Sequence, residues 1–251
     1  MIRRCAFFIT TLLLISSSLT IHAATSDHSE GEALSVSLPQ ENKTYHYRQT
    51  VRLSQVLADI YPTLHYVPYT LGASLIRISK NPLVAEEKYR IIQQLITLNT
   101  PSSLFLLAQL SNMTFAFREH ISLNLPTIRL SLKQDPLLAG AFQLFAPTRP
   151  DHFLVVGAIN EESPLAVPLQ DGQSLRDYLP NIALNNQALD STPWIIQADQ
   201  TFYQVHDLYW KNKPYFLSPG AVVFIGLKNL PIEFKDLNRD IVHLLTYRVE
   251  K

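Results

Sequence analysis

The chain has 251 residues, and its 21 lysines and arginines balance 21 aspartates and glutamates, which excludes the strong positive field of a nucleic-acid-binding protein. Its single cysteine, Cys5, lies near the amino terminus, so disulfides, cysteine metal sites and thiol nucleophiles are excluded from the rest of the chain. A chain of this length buries enough apolar surface to fold without such cross-links.

Residues 1–23 have the pattern of a signal peptide. Arg3 and Arg4 precede an apolar run over residues 7–15, and Ala23 supplies a small residue for cleavage. The run is short for a bilayer span, although an uncleaved anchor is the alternative. The pattern therefore predicts an exported protein with no membrane-spanning segment after cleavage.

Residues 33–60 predict two strands followed by a helix. Leu34, Val36 and Leu38 alternate with serines, as in a half-buried strand, and a polar turn leads to a second strand over residues 43–47. The helix is predicted by apolar residues at helical spacing, which are Leu53, Val56, Leu57 and Ile60.

Residues 81–112 predict a helical hairpin. Asn81-Pro82 and Thr100-Pro101 are both helix-start signals, with a capping side chain followed by proline in the first turn. Two roles fit such a hairpin. It either docks a partner protein or covers one face of a sheet with its apolar side chains.

Residues 113–132 predict strand-like chain that carries Arg118 and Arg129 beside apolar residues. A guanidinium held in an apolar cleft binds a carboxylate or a phosphate through two parallel hydrogen bonds. The alternative is an arginine at a strand edge that reaches out to water.

Residues 151–230 repeat the order of the first part. Strands over residues 153–159 and 165–169 lead to a helix that begins at Ser174, which forms a capping-box pattern with Asp177. Each part closes with Leu-x-x-Gly-Ala and an apolar run, around Gly140 and around Gly220. The helices begin 122 residues apart and the glycines 80 apart, so the first part holds 42 additional residues, where the hairpin lies.

A hairpin crossed by a helix and closed by further strands is a β-grasp arrangement. The repeat therefore predicts an α+β fold with two tandem β-grasp (ubiquitin-like or SLBB-like) domains, over residues 33–150 and 151–230. The first domain contains the inserted hairpin.

Four aromatic residues precede the closing turn of the second part: Tyr203, Tyr209, Trp210 and Tyr215. Such rings stack on sugars or pack in a core or an interface.

Residues 231–251 predict a C-terminal amphipathic helix with one apolar stripe. The stripe either packs on the chain itself or docks on a partner helix. Its members are Leu237, Ile241, Leu244 and Leu245.

Sequence patterns for catalysis are missing. The histidines have no His-x-x-x-His spacing with a glutamate, and neither a Gly-x-Ser-x-Gly elbow nor a phosphate-binding loop is present. The sequence therefore predicts no enzyme, no metal site and no cofactor. A pair of glycosidase carboxylates distant in sequence stays open as an alternative.

Residues 236–249 resemble the C-terminal motif of the GfcC family, also called YjbG-like, of bacterial capsule-biosynthesis proteins. The stretch over residues 136–150 and the strand at residues 157–158 resemble the same family. The resemblance implies two β-grasp domains similar to the soluble domains of the Wza polysaccharide exporter, with a helical hairpin and a C-terminal helix. It also implies that Arg118 is a family arginine in a cleft, although Glu119-His120 follow it where the family has Leu-Pro.

The expected function is that of a periplasmic, non-enzymatic factor for capsule or exopolysaccharide assembly or export. Its expected partners are an outer-membrane polysaccharide exporter or other capsule-assembly proteins, and polysaccharide, but no nucleic acid. One alternative is a periplasmic glycan-modifying enzyme in which Arg118 binds an acidic sugar. Another is a structural subunit that oligomerises through strand edges.

Overall fold

The structure is a computed structural model that describes residues 33–206, 208 and 213–249. The predicted signal peptide, residues 1–23, lies outside the described residues, as do Tyr209 and Trp210 of the aromatic group.

The described residues form an α+β fold of eleven strands and six α-helices, as the sequence predicts for the fold class. The strands are β1 Leu34–Leu38, β2 Lys43–Tyr47, β3 Val51–Arg52, β4 Ser74–Arg77, β5 Leu137–Leu138, β6 Gly140–Phe145, β7 His152–Gly157, β8 Leu165–Pro168, β9 Ala188–Ile196, β10 Phe202–Gln204 and β11 Val222–Leu227. The helices are α1 Leu53–Ile60, α2 Asn81–Leu98, α3 Pro101–Ser111, α4 Leu125–Ile128, α5 Leu175–Tyr178 and α6 Leu237–Thr246.

The N-terminal sheet has the strand order β2-β1-β6-β4. Strand β1 is antiparallel to β2 and parallel to β6, and β4 is antiparallel to β6. The predicted alternation in β1 holds, because its three apolar residues are buried and its two serines are half-buried. The predicted face of α1, which is Leu53, Val56, Leu57 and Ile60, packs into the same core.

The C-terminal sheet has the strand order β8-β7-β11-β9-β10. Strand β7 is antiparallel to β8 and parallel to β11, and β9 is antiparallel to β11. The first four strands thus follow the same order and directions as in the N-terminal sheet. All six residues of β11 are buried, as expected for a strand with neighbours on both sides and both faces covered.

Gly140 and Gly220 stand at equivalent places in the two sheets. Each has a positive φ, 90° and 77°, just before or at the start of the strand that runs parallel to the first strand of its sheet. Positive φ is accessible to glycine because it has no Cβ. The repeated Gly-Ala motif therefore marks the same backbone turn in both parts of the chain.

The helical hairpin α2–α3 forms where the sequence predicts it, between β4 and β6 in chain order. The side chain of Thr100 accepts a hydrogen bond from the Ser103 N–H, which caps α3 as the Thr-Pro signal indicates. However, the hairpin does not cover its own sheet. Its buried residues pack with the C-terminal sheet and α6, and they include Val84, Ile91, Leu95, Leu106 and Leu110.

The buried side chain of Gln109 joins the hairpin to the C-terminal sheet through two hydrogen bonds to Gly157. Its amide oxygen accepts from the Gly157 N–H at 2.8 Å, and its amide nitrogen donates to the Gly157 carbonyl at 3.1 Å. A buried amide with both ends paired is far more favourable than an unpaired one. This contact therefore fixes the position of α3 against the end of β7.

The strand-like prediction for residues 113–132 holds only in part. Phe115 and Arg118 form isolated antiparallel bridges with Arg248 and Ile76, but residues 125–128 form the short helix α4. Asn124 caps that helix through the Thr127 N–H, and Pro126 lies in its first turn. The helix-start signal at Asn124 thus outweighs the apolar pattern on which the strand prediction rested.

Among the described residues, the longest helices are too short or too polar to cross a bilayer.

Candidate functional site

Arg118 lies in a segment, residues 114–119, that joins the two halves of the chain. On one side, the Glu119 N–H donates to the Leu75 carbonyl of β4 at 2.8 Å. On the other side, the Ala116 N–H donates to the Tyr247 carbonyl, just after α6, at 3.0 Å. The segment therefore extends the N-terminal sheet and binds the carboxyl-terminal residues at the same time.

The Arg118 side chain is directed at main-chain oxygens. One terminal nitrogen donates to the carbonyls of Thr246 at 3.4 Å and Arg248 at 3.2 Å, and the other donates to the Ala198 carbonyl at 3.2 Å. Thr246 is the last residue of α6, so the cation lies at the negative end of the helix dipole. Arg118 thus holds the end of α6 and the 196–198 segment together.

The space around Arg118 is small. The cavity that it lines has a volume of about 30 Å³, which holds about one water molecule and excludes a sugar ring. Only 9% of the Arg118 surface is exposed. The structure therefore supports a joining role for this arginine rather than the binding of an acidic sugar in an open cleft.

The residue after Arg118 is also engaged. The Glu119 carboxylate forms an ion pair with the Arg77 guanidinium, which lies 4.6 Å over the ring of Phe142. Both charged side chains are partly exposed, so the pair contributes modestly to stability. Glu119, which departs from the family pattern, therefore forms a partly exposed ion pair with the last residue of β4.

Arg129 is separate from Arg118. It is exposed, it directly follows α4, and it lines neither the Arg118 cavity nor the larger groove described next. The structure thus does not bring the two predicted arginines into one site.

The larger groove lies beside His120, two residues after Arg118, and has a volume of about 400 Å³. Six of its twelve lining residues carry a hydroxyl or an amide group, four are apolar, and Asp199 is the one carboxylate among the described lining residues. The lining residues are Thr70, Leu71, Ala73, His120, Ile121, Ser122, Leu123, Asn124, Thr127, Asp199, Gln200 and Thr201. We call this feature the polar groove.

The C-terminal wall of the polar groove is the turn between β9 and β10. The Asp199 carboxylate accepts from the Thr201 N–H at 3.0 Å and from the Thr201 hydroxyl at 2.6 Å. Gln200 has a positive φ of 71°, which is uncommon for a residue with a side chain. Its amide donates to the Glu119 carbonyl at 3.4 Å, so this wall is tied to the segment that holds Arg118.

The N-terminal wall is equally ordered. The Asn124 side-chain oxygen accepts from the N–H and the hydroxyl of Thr127, and its amide lies 3.5 Å from the Thr70 hydroxyl. Polar groups held in place before a ligand arrives reduce the ordering cost of binding. The groove is therefore suited to a neutral, hydroxyl-rich ligand.

Tyr69 adjoins the wall formed by residues 70–73. Burial raises the pKa of its phenol, while nearby Arg149 lowers that pKa and Asp199 raises it. The phenol therefore stays protonated across the physiological range and is a neutral group near the groove.

The predicted docking stripe of the C-terminal helix is inside the chain. Leu237, Ile241, Leu244 and Leu245 are each at most 1% exposed and belong to the core shared with the hairpin and the C-terminal sheet. This is the first of the two sequence alternatives, packing on the chain itself. The stripe is fully covered, so it does not present a docking surface to a partner.

The polar side of α6 is bound to α2. Arg90 donates to the Asp240 carboxylate at 2.8 Å, and the His243 ring lies 2.8 Å from the Glu87 carboxylate. Both contacts are partly exposed and reinforce the position of the helix.

Two described members of the predicted aromatic group contact each other. The rings of Tyr203 and Tyr215 lie 6.3 Å apart, and the Lys213 ammonium lies 5.3 Å from the Tyr215 ring centre. Phe202 and Phe216 beside them are 44% and 56% exposed. This surface is more open than a core cluster.

Among the residues that the structure describes, histidine, cysteine, aspartate and glutamate side chains form no group of three that could hold a metal ion.

Comparison with known families covers both halves of the chain. Residues 31–149 match the family described as capsule biosynthesis GfcC, N-terminal, and residues 163–250 match the one described as capsule biosynthesis GfcC C-terminal. The chain is also similar to the uncharacterized protein YjbG of Escherichia coli (strain K12), with 26% identity over 143 residues. That alignment spans 56% of this chain and 58% of the length of YjbG.

Proposed function

Because the chain belongs to the GfcC family of capsule biosynthesis proteins, we propose that it is a periplasmic, non-enzymatic factor that holds polysaccharide during capsule or exopolysaccharide assembly or export. Family membership indicates a role in capsule biosynthesis. The finer proposal depends on the polar groove.

The proposal that the groove binds polysaccharide depends on its size and its lining. A volume of about 400 Å³ is at the scale of small-molecule sites, which start at about 300 Å³. Sugars present hydroxyl groups that both donate and accept, and the groove offers hydroxyls and amides that do the same, at Thr70, Ser122, Asn124 and Gln200. We infer that one or two sugar residues of a longer chain lie there.

The proposal of a non-enzymatic role is supported by the charge content of the groove. Glycoside hydrolysis ordinarily uses two carboxyl groups on opposite sides of the bond, about 5–10 Å apart. Asp199 is the carboxylate among the described lining residues, and it already accepts two hydrogen bonds from Thr201. This content favours a site that holds a glycan over one that hydrolyses it by the two-carboxylate mechanism.

We also propose that the two sheets belong to tandem β-grasp domains, over residues 33–150 and 151–230. The shared order of the first four strands supports this interpretation. In the first domain, the hairpin α2–α3 is an insertion that packs against the second domain. Residues 1–23 would act as the signal peptide that delivers the chain to the periplasm.

A second candidate function is docking of an exporter protein on the outer face of α2. Leu83 and Tyr89 are 59% and 66% exposed there, and they line an open groove of about 710 Å³ together with Phe234. Exposed apolar and aromatic residues of this kind are enriched at protein interfaces. This face replaces the buried stripe of α6 as the docking surface of the proposal.

Calorimetric titration with oligosaccharides from the capsule of the producing strain tests the groove. We expect wild-type protein to bind, and we expect Ser122→Trp to weaken binding at least about tenfold, because the indole would fill the groove. Ser111→Trp is the matched control, since Ser111 is an exposed serine at the end of α3.

Two results would contradict the proposal. Equal affinity of the two tryptophan variants would remove the groove from the binding site. Shorter oligosaccharides after incubation with the protein, observed by mass spectrometry, would show an enzyme instead.

A further inference from the structure

Three leucines are exposed around one loop, residues 129–137, which we call the leucine loop. Leu130 is 86% exposed, Leu132 is 76% exposed, and Leu137 at the loop end is 60% exposed. Scattered single leucines on a surface need no explanation, but a group of them within nine residues does. The leucine loop is not part of the polar groove.

The leucine loop is held in a defined shape at its base. Asp135, which is 6% exposed, accepts hydrogen bonds from the N–H and the hydroxyl of Ser54 at 2.8 and 2.7 Å. The Arg52 guanidinium donates to the Asp135 carbonyl at 2.7 Å, and the Gln134 N–H donates to the Ser131 carbonyl. The exposure of the leucines therefore results from an ordered turn rather than from an unstructured tail.

Basic side chains surround these leucines. Arg129 and Lys133 are both exposed and flank the Leu130-Ser131-Leu132 tip. Arg52 is exposed and lies directly opposite Leu137 in the β3–β5 pair, which puts the two side chains on the same face. Asp135 is the acidic residue of the loop, and its carboxylate is turned inward to Ser54. The outward charge of the loop is thus positive.

We propose that the leucine loop binds the surface of an anionic phospholipid bilayer, with Leu130 and Leu132 entering the boundary between headgroups and acyl chains. Apolar side chains with basic neighbours bind such boundaries because burial of the apolar part and attraction to anionic lipid add together. The proposal is independent of the polysaccharide groove.

The composition of the loop favours a lipid surface over a protein partner. Protein interfaces are enriched in aromatic residues, methionine and arginine, and depleted in lysine, serine and aspartate. Residues 129–137 contain no aromatic residue or methionine and one arginine, but they contain one lysine, one serine and one aspartate. A protruding tip of two leucines also suits a soft headgroup layer better than a rigid surface, which would need a matching pocket. The two exposed cations of the tip, Arg129 and Lys133, complement the negative charge of the lipid.

Sedimentation of the full purified chain with lipid vesicles tests the proposal. Vesicles of phosphatidylcholine mixed with phosphatidylglycerol should bind the wild-type protein, and phosphatidylcholine alone should bind it less. The double variant Leu130→Ser/Leu132→Ser should reduce partitioning by about tenfold or more, because two leucines lose their apolar insertion. Arg129→Gln/Lys133→Gln should reduce binding to the mixed vesicles by about fivefold per charge and weaken its salt dependence.

The matched control is Val67→Ser/Leu104→Ser, which removes two apolar side chains that are 89% and 47% exposed elsewhere. This control should bind vesicles as wild type does. The proposal is overturned if wild type does not bind the mixed vesicles, or if the control loses as much binding as the loop variant. It is also overturned if the loop variant changes the mass of the protein in light scattering without lipid, since the loop would then be an interface between copies.

Discussion

Replacement of Arg118 by methionine should destabilise the fold, because it removes a buried donor that the two halves of the chain share. Methionine keeps an unbranched side chain of similar reach but has no N–H group. The carbonyls of Thr246, Arg248 and Ala198 would each lose a hydrogen bond from a cation. These carbonyls lie 80 to 130 residues away in sequence, so the loss affects tertiary structure rather than a local turn.

The magnitude follows from the geometry of these bonds. A hydrogen bond to a charged group contributes about 1.5–3 kcal/mol, and the lower end applies here because the distances of 3.2–3.4 Å exceed the charge-assisted optimum. Three bonds thus represent about 4–5 kcal/mol. Part of this loss is offset, because the methionine variant does not have to remove water from a charged guanidinium when it folds. We expect a net loss of about 2–3 kcal/mol for Arg118→Met.

Urea unfolding followed by circular dichroism measures this loss. Arg118→Lys keeps the charge but not the planar fork of donors, so it should fall between wild type and the methionine variant. Arg129→Met is the control, because Arg129 is exposed and should change stability by less than about 0.5 kcal/mol. If Arg118→Met keeps the wild-type stability but loses oligosaccharide binding, then Arg118 is a ligand-binding residue and the joining role is refuted.

Two further substitutions test the backbone and capping arguments. Gly157→Ala should lower the free energy of unfolding by about 3 kcal/mol or more in the same urea experiment, because φ at Gly157 is +118° and a Cβ would overlap the Ile225 carbonyl. Gly172→Ala, where φ is +76° but the space is open, should lower it by only about 1 kcal/mol. Asp177→Asn should destabilise the protein at neutral pH, because hydrogen bonds from the Ser174 N–H and hydroxyl lower the pKa of the Asp177 carboxyl. A carboxyl whose pKa is lowered in the folded state stabilises the fold at pH values above its unfolded pKa, and this contribution is lost as the pH falls through the folded pKa. The free energies of unfolding of wild type and Asp177→Asn should therefore converge in acid. Asp171→Asn, at an exposed aspartate, is the control. A difference that persists unchanged at low pH would contradict the capping argument.

Local signals in the sequence located many of the elements. The face of α1, the start of α3 at Thr100 and the capping pair Ser174–Asp177 each depend on residues within a turn or two of one another. The glycines at 140 and 220 marked two equivalent strands because a positive φ is a property of the residue itself. One local signal was missed at Asn124, where a capping residue and a proline start α4 within a stretch predicted as strand.

The polar groove was not predictable in the same way. One wall of the groove is the turn between β9 and β10, but the opposite wall comes from residues 70–73 and 120–127. Thr70 and Ser122 carry no motif that distinguishes them from ordinary loop residues, and the capping signal at Asn124 indicates a helix start rather than a binding site. Their juxtaposition depends on the packing of one half of the chain against the other.

The sequence by itself determined the α+β class, the repeated order of elements and the apolar stripes of α1 and α6, since these follow from side-chain period and turn chemistry. Only the tertiary structure decided that the hairpin covers the C-terminal sheet, that the stripe of α6 is buried, and that Arg118 reaches three carbonyls instead of an open cleft. The physical reason is that periodicity shows which face of an element is apolar, whereas the surface that covers this face is chosen by packing among residues far apart in the chain.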